Sequence, residues 1–515
     1  MIKKPPFSYL LSDSIQTQVQ AMSLRQRIAQ LIHVAAWSNR DEEHYRHIES
    51  LVQDHEIGGI IFFQGTPKQQ ALLTNRYQKA SDIPLMISID GEWGLAMRLD
   101  DTMAFPYSVT LGAIPDSQIG LIEEMGYEIG MQCRRLGIHV NFAPVVDINT
   151  EPSNPVIGFR SFGRNKEQVA KRAAAYARGL QAANVIAVAK HFPGHGDTTT
   201  DSHHTLPVVD HPVERLQDVE LFPFKALFAE GVAGVMTGHI QVPALDPSSN
   251  RGASLSQAIS YTLLQEELGY QGLIFTDALN MKGASDYYKP GALELEALKA
   301  GNDVLLYCED VPAAIDTIEA AILSGKVPES WLNTRVEKQL AAKAWLRISD
   351  EPIGTENLAE DLHSSKAQSL NLELHHASLK VLNAYPHDLL RAGKVAALAF
   401  QAEAPLVFHQ YWEGVDCMYW KKDEQLDTAA VIKTLQGYDQ VLISVHASSM
   451  KAGEQFGVSS EMRERILEIL TAVPAVLVLF GHPILLPDLT GDLPLPTVLA
   501  WQDSDGAQRV AAGLF

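Results

Sequence analysis

From residue 25 to about 310, short apolar runs rich in β-branched residues alternate with helix-like segments. That alternation predicts a parallel sheet with helical crossovers. The apolar runs are Leu31–Ala35, Gly59–Phe63, Leu85–Ile89, Val140–Val146, Val185–Ala189, Val232–Met236, Leu273–Phe275 and Val304–Tyr307. Eight such units in about 285 residues match a (β/α)8 TIM-type barrel, which typically takes about 250 residues. A doubly wound open sheet is the alternative, but no Gly-x-Gly-x-x-Gly turn follows the first run.

Beyond the last run the period changes. Ala313, Ile315, Ile318, Ala321 and Ile322, continued by Trp331, Val336 and Leu340, predict helix over 313–348. Pro352, Gly354 and a high density of charge then mark a linker over 351–375. A second set of runs follows: Val395–Phe400, Val415–Tyr419, Val441–Val445, Val476–Phe480 and Val498–Trp501, separated by helical segments such as Met462–Leu470. Five strands there predict a smaller three-layer α/β sandwich. The division expected is a barrel over 1–350, the linker, and a sandwich over 376–515, with Ala507–Phe515 as a final helix.

Composition narrows the function classes. At 515 residues the chain is about twice the size at which single cores stop growing. Its 46% hydrophobic and 20% charged residues are those of a soluble globular enzyme. A net charge of −21 disfavours nucleic acid as a partner, since phosphate backbones require a basic surface. Cys133, Cys308 and Cys417 are odd in number and far apart, so no disulfide framework is implied. The first residues lack the apolar core of a signal peptide, and no run reaches membrane-spanning length. The chain reads as cytoplasmic, or as exported if a leader has been removed, with no membrane partner and no assigned oligomeric state.

Candidate chemistry sits at the ends of the runs, where barrel enzymes carry their catalytic groups. Asp90, Asp147, Lys190 with His191, His239 and Asp277 occupy those ends. The densest stretch is Lys190-His191-Phe-Pro-Gly-His195-Gly-Asp197-Thr-Thr-Thr-Asp201-Ser-His203-His204-Thr-Leu-Pro207. It is too polar for a core, because each unpaired buried polar group costs on the order of 1–3 kcal/mol. Three readings compete: a structural turn, a metal site built on imidazoles and carboxylates, and an acid–base pair in which Asp201 orients His203.

Three further motifs accompany that loop: Asp90-Gly-Glu92-Trp-Gly94, Ile157-Gly-Phe-Arg160-Ser-Phe-Gly163 and Ile274-Phe-Thr-Asp277-Ala-Leu-Asn-Met281. Together the four resemble glycoside hydrolase family 3, and within it the β-N-acetylglucosaminidases. The resemblance covers the barrel and extends more weakly into residues 376–515. The sequence departs where the common Asp-Gln-Glu-Gly-Gly-Arg motif appears as Asp90-Gly-Glu92-Trp-Gly94-Leu-Ala-Met-Arg98.

The resemblance implies a retaining, exo-acting hydrolase of terminal N-acetylglucosaminides. Asp277 is then the nucleophile and His203 the acid, with Asp201 as its partner. Asp90, Arg98, Arg160, Lys190 and His191 bind the sugar, while His239 and Met236 are weaker candidates that fit the pocket wall. The implied partner is a small oligosaccharide of muropeptide or chitin type, with no cofactor and no metal. Alternatives left open are a phosphorylase, a family 3 β-glucosidase, a non-cleaving sugar-binding module, and a zinc hydrolase using His191, His195 and Asp277.

Overall fold

A computed structural model describes residues 2–515 except 201–205, 248–249, 286–287, 350, 384–392, 411, 413, 422–423 and 425–426. The predicted runs form β1 (Ile32–Ala36), β2 (Gly59–Phe62), β3 (Met86–Ile89), β4 (Val140–Asn141), β5 (Ile186–Phe192), β6 (Gly234–Thr237), β7 (Leu273–Thr276) and β8 (Leu305–Leu306). They pair in parallel in the order β7-β6-β5-β4-β3-β2-β1-β8. The ring closes where Phe275 bridges Val304, with Thr276 N donating to Val304 O at 3.0 Å. This is the (β/α)8 barrel the pattern predicted. β4 is shorter than its apolar run because Pro144 lacks the N–H a ladder requires; pairing resumes at Val145, which bridges Lys190.

The barrel interior is filled by alternate strand residues, among them Ala35, Ile61, Met86, Phe142, Val188, Met236 and Phe275. Phe142 and Phe275 meet edge to face at 5.4 Å. The outer helices begin where the sequence supplies caps: Asp41 accepts from His44 N ahead of the helix Glu42–His55, and Asn165 from Gln168 N ahead of Lys166–Ala182. Helix over 313–348 is corrected to two helices, Val311–Leu323 and Glu329–Leu346. Gly325, at φ 72°, and Pro328 end one and start the other.

The chain divides into two compact units. The first comprises Met1–Phe105, Ile122–Glu151 and Gly163–Ala367; the second comprises Pro106–Leu121, Pro152–Phe162 and Gln368–Phe515. Two short excursions from within the expected barrel thus belong to the second unit. Gln502 Oε1 holds one of them, accepting from Tyr107 N and Thr110 Oγ1 at 2.8 Å each. The linker expected over 351–375 contains the helix Leu358–Leu362 and most of the helix Ser365–Ser378. It is held to the first unit by Arg135, which bonds the Gly354 and Glu356 carbonyls and the Asp361 carboxylate, while Leu358 and Leu362 are buried.

The second unit carries β9 (Lys380–Leu382), β10 (Val395–Phe400), β11 (Asp416–Trp420), β12 (Gln440–His446), β13 (Ala475–Phe480) and β14 (Thr497–Leu499). The order is β11-β10-β12-β13-β14-β9, with only β9 antiparallel. Alternation sends Leu398, Ile443 and Leu477 to one face, against Ile466 and Ile469 of the helix Ser460–Ala472. Ala397, Leu442 and Val478 go to the other, against Ala507 and Ala511 of the helix Asp505–Ala512. The sheet therefore lies between helical layers, as expected, with a sixth strand added at its edge. Among the described residues, no helix is long and apolar enough to cross a membrane.

Candidate active site

Asp90 follows β3 directly, and its backbone neighbour Gly91 is gripped on both sides by Asn141 of β4. Gly91 N donates to Asn141 Oδ1 at 2.9 Å, and Asn141 Nδ2 returns a bond to Gly91 O at 3.0 Å. Tyr176, on the helix Lys166–Ala182, donates its hydroxyl to the Gly91 and Glu92 carbonyls at 3.0 and 3.2 Å. A close helix approach positions that tyrosine: a Cβ on Gly126 would lie 2.4 Å from Tyr176 O. The turn carrying Asp90 and Glu92 is thus fixed from two elements.

Lys190, in β5, lies between the two carboxylates. Its Nζ is 3.0 Å from Asp90 Oδ1 and 2.8 Å from Glu92 Oε1, and its side chain is only 3% exposed. Arg98 Nη2 donates to Asp90 Oδ2 at 2.5 Å, and its guanidinium lies 4.9 Å over the Phe63 ring. Burial pushes the Asp90 carboxyl upward, but Lys190 and Arg98 together outweigh it and hold the group well below the usual carboxylate range. The outcome is a permanently ionised acceptor flanked by cationic donors, a set suited to vicinal hydroxyls.

Asp147 organises the loop that follows Lys190. Its buried carboxylate accepts from His191 Nδ1 at 2.8 Å, from His191 N and, at 2.7 Å, from His195 N. An acceptor-only carboxylate places the proton on Nδ1 and leaves Nε2 as the other functional nitrogen of His191. His195 Nδ1 lies 2.7 Å from Thr198 Oγ1. Burial, aided by His191, drives His195 down to about 4 against the upward pull of Asp147 and Asp277. Further along, Asp197 pairs with His211, and Val209 N donates to Gln241 O at 2.9 Å.

Asp277 follows β7. Its N donates to Thr237 O at 2.9 Å, its Oδ1 accepts from Ala278 N at 2.9 Å, and the residue is half-buried. His239, fully buried, contacts Ser254 Oγ and Ala278 O, and Met236 belongs to the barrel interior. Among the described residues no group of three His, Cys, Asp or Glu side chains is arranged to hold a metal ion.

The structure thus brings Asp90, Arg98 and Lys190 into one cluster and sets His191 beside it on Asp147. Arg160 belongs to the second unit, where its Nη1 donates to Val156 O at 3.3 Å. Asp201 and His203 lie outside the described residues. Sequence reasoning gave no role to Glu92, Asp147, Asn141 or Tyr176. Glu92 and Asp147 were legible as acids beside strand ends, and Asn141 as a polar residue inside an apolar run. Tyr176 carries no such signal in a helix of ordinary amphipathic pattern.

Residues 23–342 match the glycosyl hydrolase family 3 N-terminal domain. Beta-hexosaminidase A of Pseudoalteromonas piscicida is 40% identical over 280 residues, which make up 50% of this chain and 47% of that protein. The chain therefore spans about half of that relative's length. Beta-hexosaminidase LpqI of Mycobacterium tuberculosis is 33% identical over 332 residues, covering 62% of this chain and 83% of that protein. A glycoside hydrolase family 3 beta-N-acetylglucosaminidase from Paenibacillus sp. superposes with a TM-score of 0.80 at 29% identity over 96% of each chain. The chain belongs to glycosyl hydrolase family 3.

Proposed function

We propose that the chain is a retaining, exo-acting β-N-acetylglucosaminidase that hydrolyses terminal N-acetylglucosaminides of muropeptide or chitin type. One juxtaposition carries this reading: a carboxylate at the end of β7 and an ionised, cation-flanked carboxylate at the end of β3 in the same barrel. Relatives named beta-hexosaminidase at 40% and 33% identity support the choice of sugar.

In the first step an Asp277 oxygen bonds to the anomeric carbon as the bond to the leaving oxygen breaks. His203, oriented by Asp201, gives that oxygen its proton. Water then attacks the anomeric carbon from the vacated face and yields its proton to His203, and Asp277 departs as a carboxylate. Asp90, Arg98, Lys190 and His191 hold the sugar hydroxyls.

The test is release of nitrophenol from nitrophenyl β-N-acetylglucosaminide and β-glucoside, with and without phosphate, by wild type and Asp277→Asn. The reading expects strong preference for the N-acetylated sugar, free sugar as product, and loss of several powers of ten on Asp277→Asn, as befits a nucleophile. Equal cleavage of the glucoside, sugar 1-phosphate as main product, or more than about a tenth of the wild-type rate in Asp277→Asn would overturn it.

A further inference from the structure

The turn after β7 is anchored at three successive residues. Asp277 N donates to Thr237 O at 2.9 Å, His239 Nε2 contacts Ala278 O at 3.0 Å, and Leu279 N donates to Leu306 O at 2.9 Å. The middle anchor is the only one of these made by a side chain. A carbonyl oxygen only accepts, so the His239 proton toward it sits on Nε2. The other ring nitrogen, Nδ1, is 2.6 Å from Ser254 Oγ.

Behind this pair lies a closed set of bonds. Asn302 Nδ2 donates to Ser254 O at 2.7 Å, and Thr237 Oγ1 donates to Asn302 Oδ1 at 2.7 Å. Thr237, His239, Ser254 and Asn302 are all fully buried. The chain of contacts therefore starts at Thr237, which holds the Asp277 backbone, and returns through Asn302, Ser254 and His239 to the next residue, Ala278. Ala278 N is in turn the donor to Asp277 Oδ1 at 2.9 Å. A shift of Ala278 moves that carboxylate oxygen directly.

We infer that His239, held by Ser254, is a positioning residue for Asp277: its ring fixes the Ala278 carbonyl and thereby aims the Asp277 carboxylate. The inference rests on Asp277 being the nucleophile. It assigns His239 a role in rate rather than in sugar binding, because its two ring nitrogens are engaged by Ser254 Oγ and Ala278 O. A nucleophile must be placed to within about 0.5 Å, and a displacement of about 1 Å costs on the order of a hundredfold.

The experiment compares wild type with His239→Leu, His239→Gln and Ser254→Ala. Three quantities are measured: kcat and KM on the aryl N-acetylglucosaminide, Kd for free N-acetylglucosamine, and the rate of covalent labelling by a 5-fluoro glycosyl fluoride of that sugar. His239→Leu should lower kcat and the labelling rate by about a hundredfold while Kd stays within about twofold. His239→Gln, whose amide can still donate to Ala278 O, should recover to within about tenfold of wild type. Ser254→Ala should slow labelling by about three- to tenfold, consistent with the net worth of one hydrogen bond, which keeps the inference testable should His239→Leu fail to fold.

Mass analysis of labelled wild type separates the two claims. Label on a peptide lacking Asp277 sinks the nucleophile assignment and this inference with it. Label on Asp277, with His239→Leu labelled at the wild-type rate, or with the Leu and Gln variants equally slow and equally weak in Kd, overturns the positioning role alone.

Discussion

Lys190 is the residue on which charge balance in the Asp90–Glu92 cluster turns. Its ammonium, 3% exposed, faces the 1%-exposed Glu92 on one side and Asp90 on the other. Removing one member of a buried pair leaves an uncompensated charge, which costs about 3–5 kcal/mol, whereas removing both members with apolar substitutes is often nearly neutral. Lys190→Met should therefore destabilise the protein by about that amount. Lys190→Met with Glu92→Met should recover much of the stability, because Asp90 retains Arg98. Neither variant should recover activity, since the donor proposed for the sugar is gone from both. Urea denaturation beside kcat/KM checks this; a double variant no more stable than the single one would show that Glu92 is not the partner that matters. The same logic explains Asp147, whose carboxylate collects bonds from His191 and His195.

At the scale of elements, the Asp90 turn depends on how two helices pack. Gly126 on the helix Gly120–Arg135 and Gly179 on the helix Lys166–Ala182 lie against each other's backbones, with 2.4 and 2.1 Å to the carbonyls a Cβ would meet. Gly126→Ala should push Tyr176 away from the Gly91 and Glu92 carbonyls and lower stability by about 1–3 kcal/mol, the usual penalty of overpacking. Tyr176→Phe should leave the helices in place, lower stability by only about 1 kcal/mol, and raise KM severalfold. Unchanged KM in both variants would show that Tyr176 does not set the Asp90 turn.

This linkage was illegible in the sequence, because Tyr176 and the paired glycines fit an ordinary amphipathic helix. The barrel strands were legible because a strand buried on both faces must be apolar along its length. β9 was not, since Lys380, Val381 and Leu382 are all exposed on an antiparallel edge. The allegiance of residues 106–121 and 152–162 rests on contacts such as Tyr107 with Gln502, hundreds of positions away, which no local pattern encodes. Asp90, Lys190 and Arg98 stand out in the sequence because they lie in motifs at strand ends; Glu92 shares the Asp90 motif but its bond to Lys190 is not encoded there, and Asp147 shows its role only through its bonds to His191 and His195.

At the scale of the whole molecule, burial lowers the pKa of several described histidines. It drives His33 and His139 down to about 3, and His195, His375, His409 and His482 to about 4. The unfolded chain protonates these groups near about 6.5. Between that value and the native ones the unfolded state holds more protons, so stability falls as pH drops through this window and is insensitive to these groups above it. The ceiling is about 1.4 kcal/mol per pH unit for each histidine. Urea midpoints should be clearly lower at pH 5.5 than at pH 7.5; equal or higher midpoints would show that these imidazoles are not held neutral.

In the proposed route the Asp277 carboxylate attacks the sugar and water replaces it from the opposite face. Two inversions leave the configuration unchanged. Proton NMR of a β-N-acetylglucosaminide during the first turnovers, before mutarotation, reads this directly. β-N-Acetylglucosamine should be the anomer first released; an α-anomer appearing first would contradict the covalent route through Asp277.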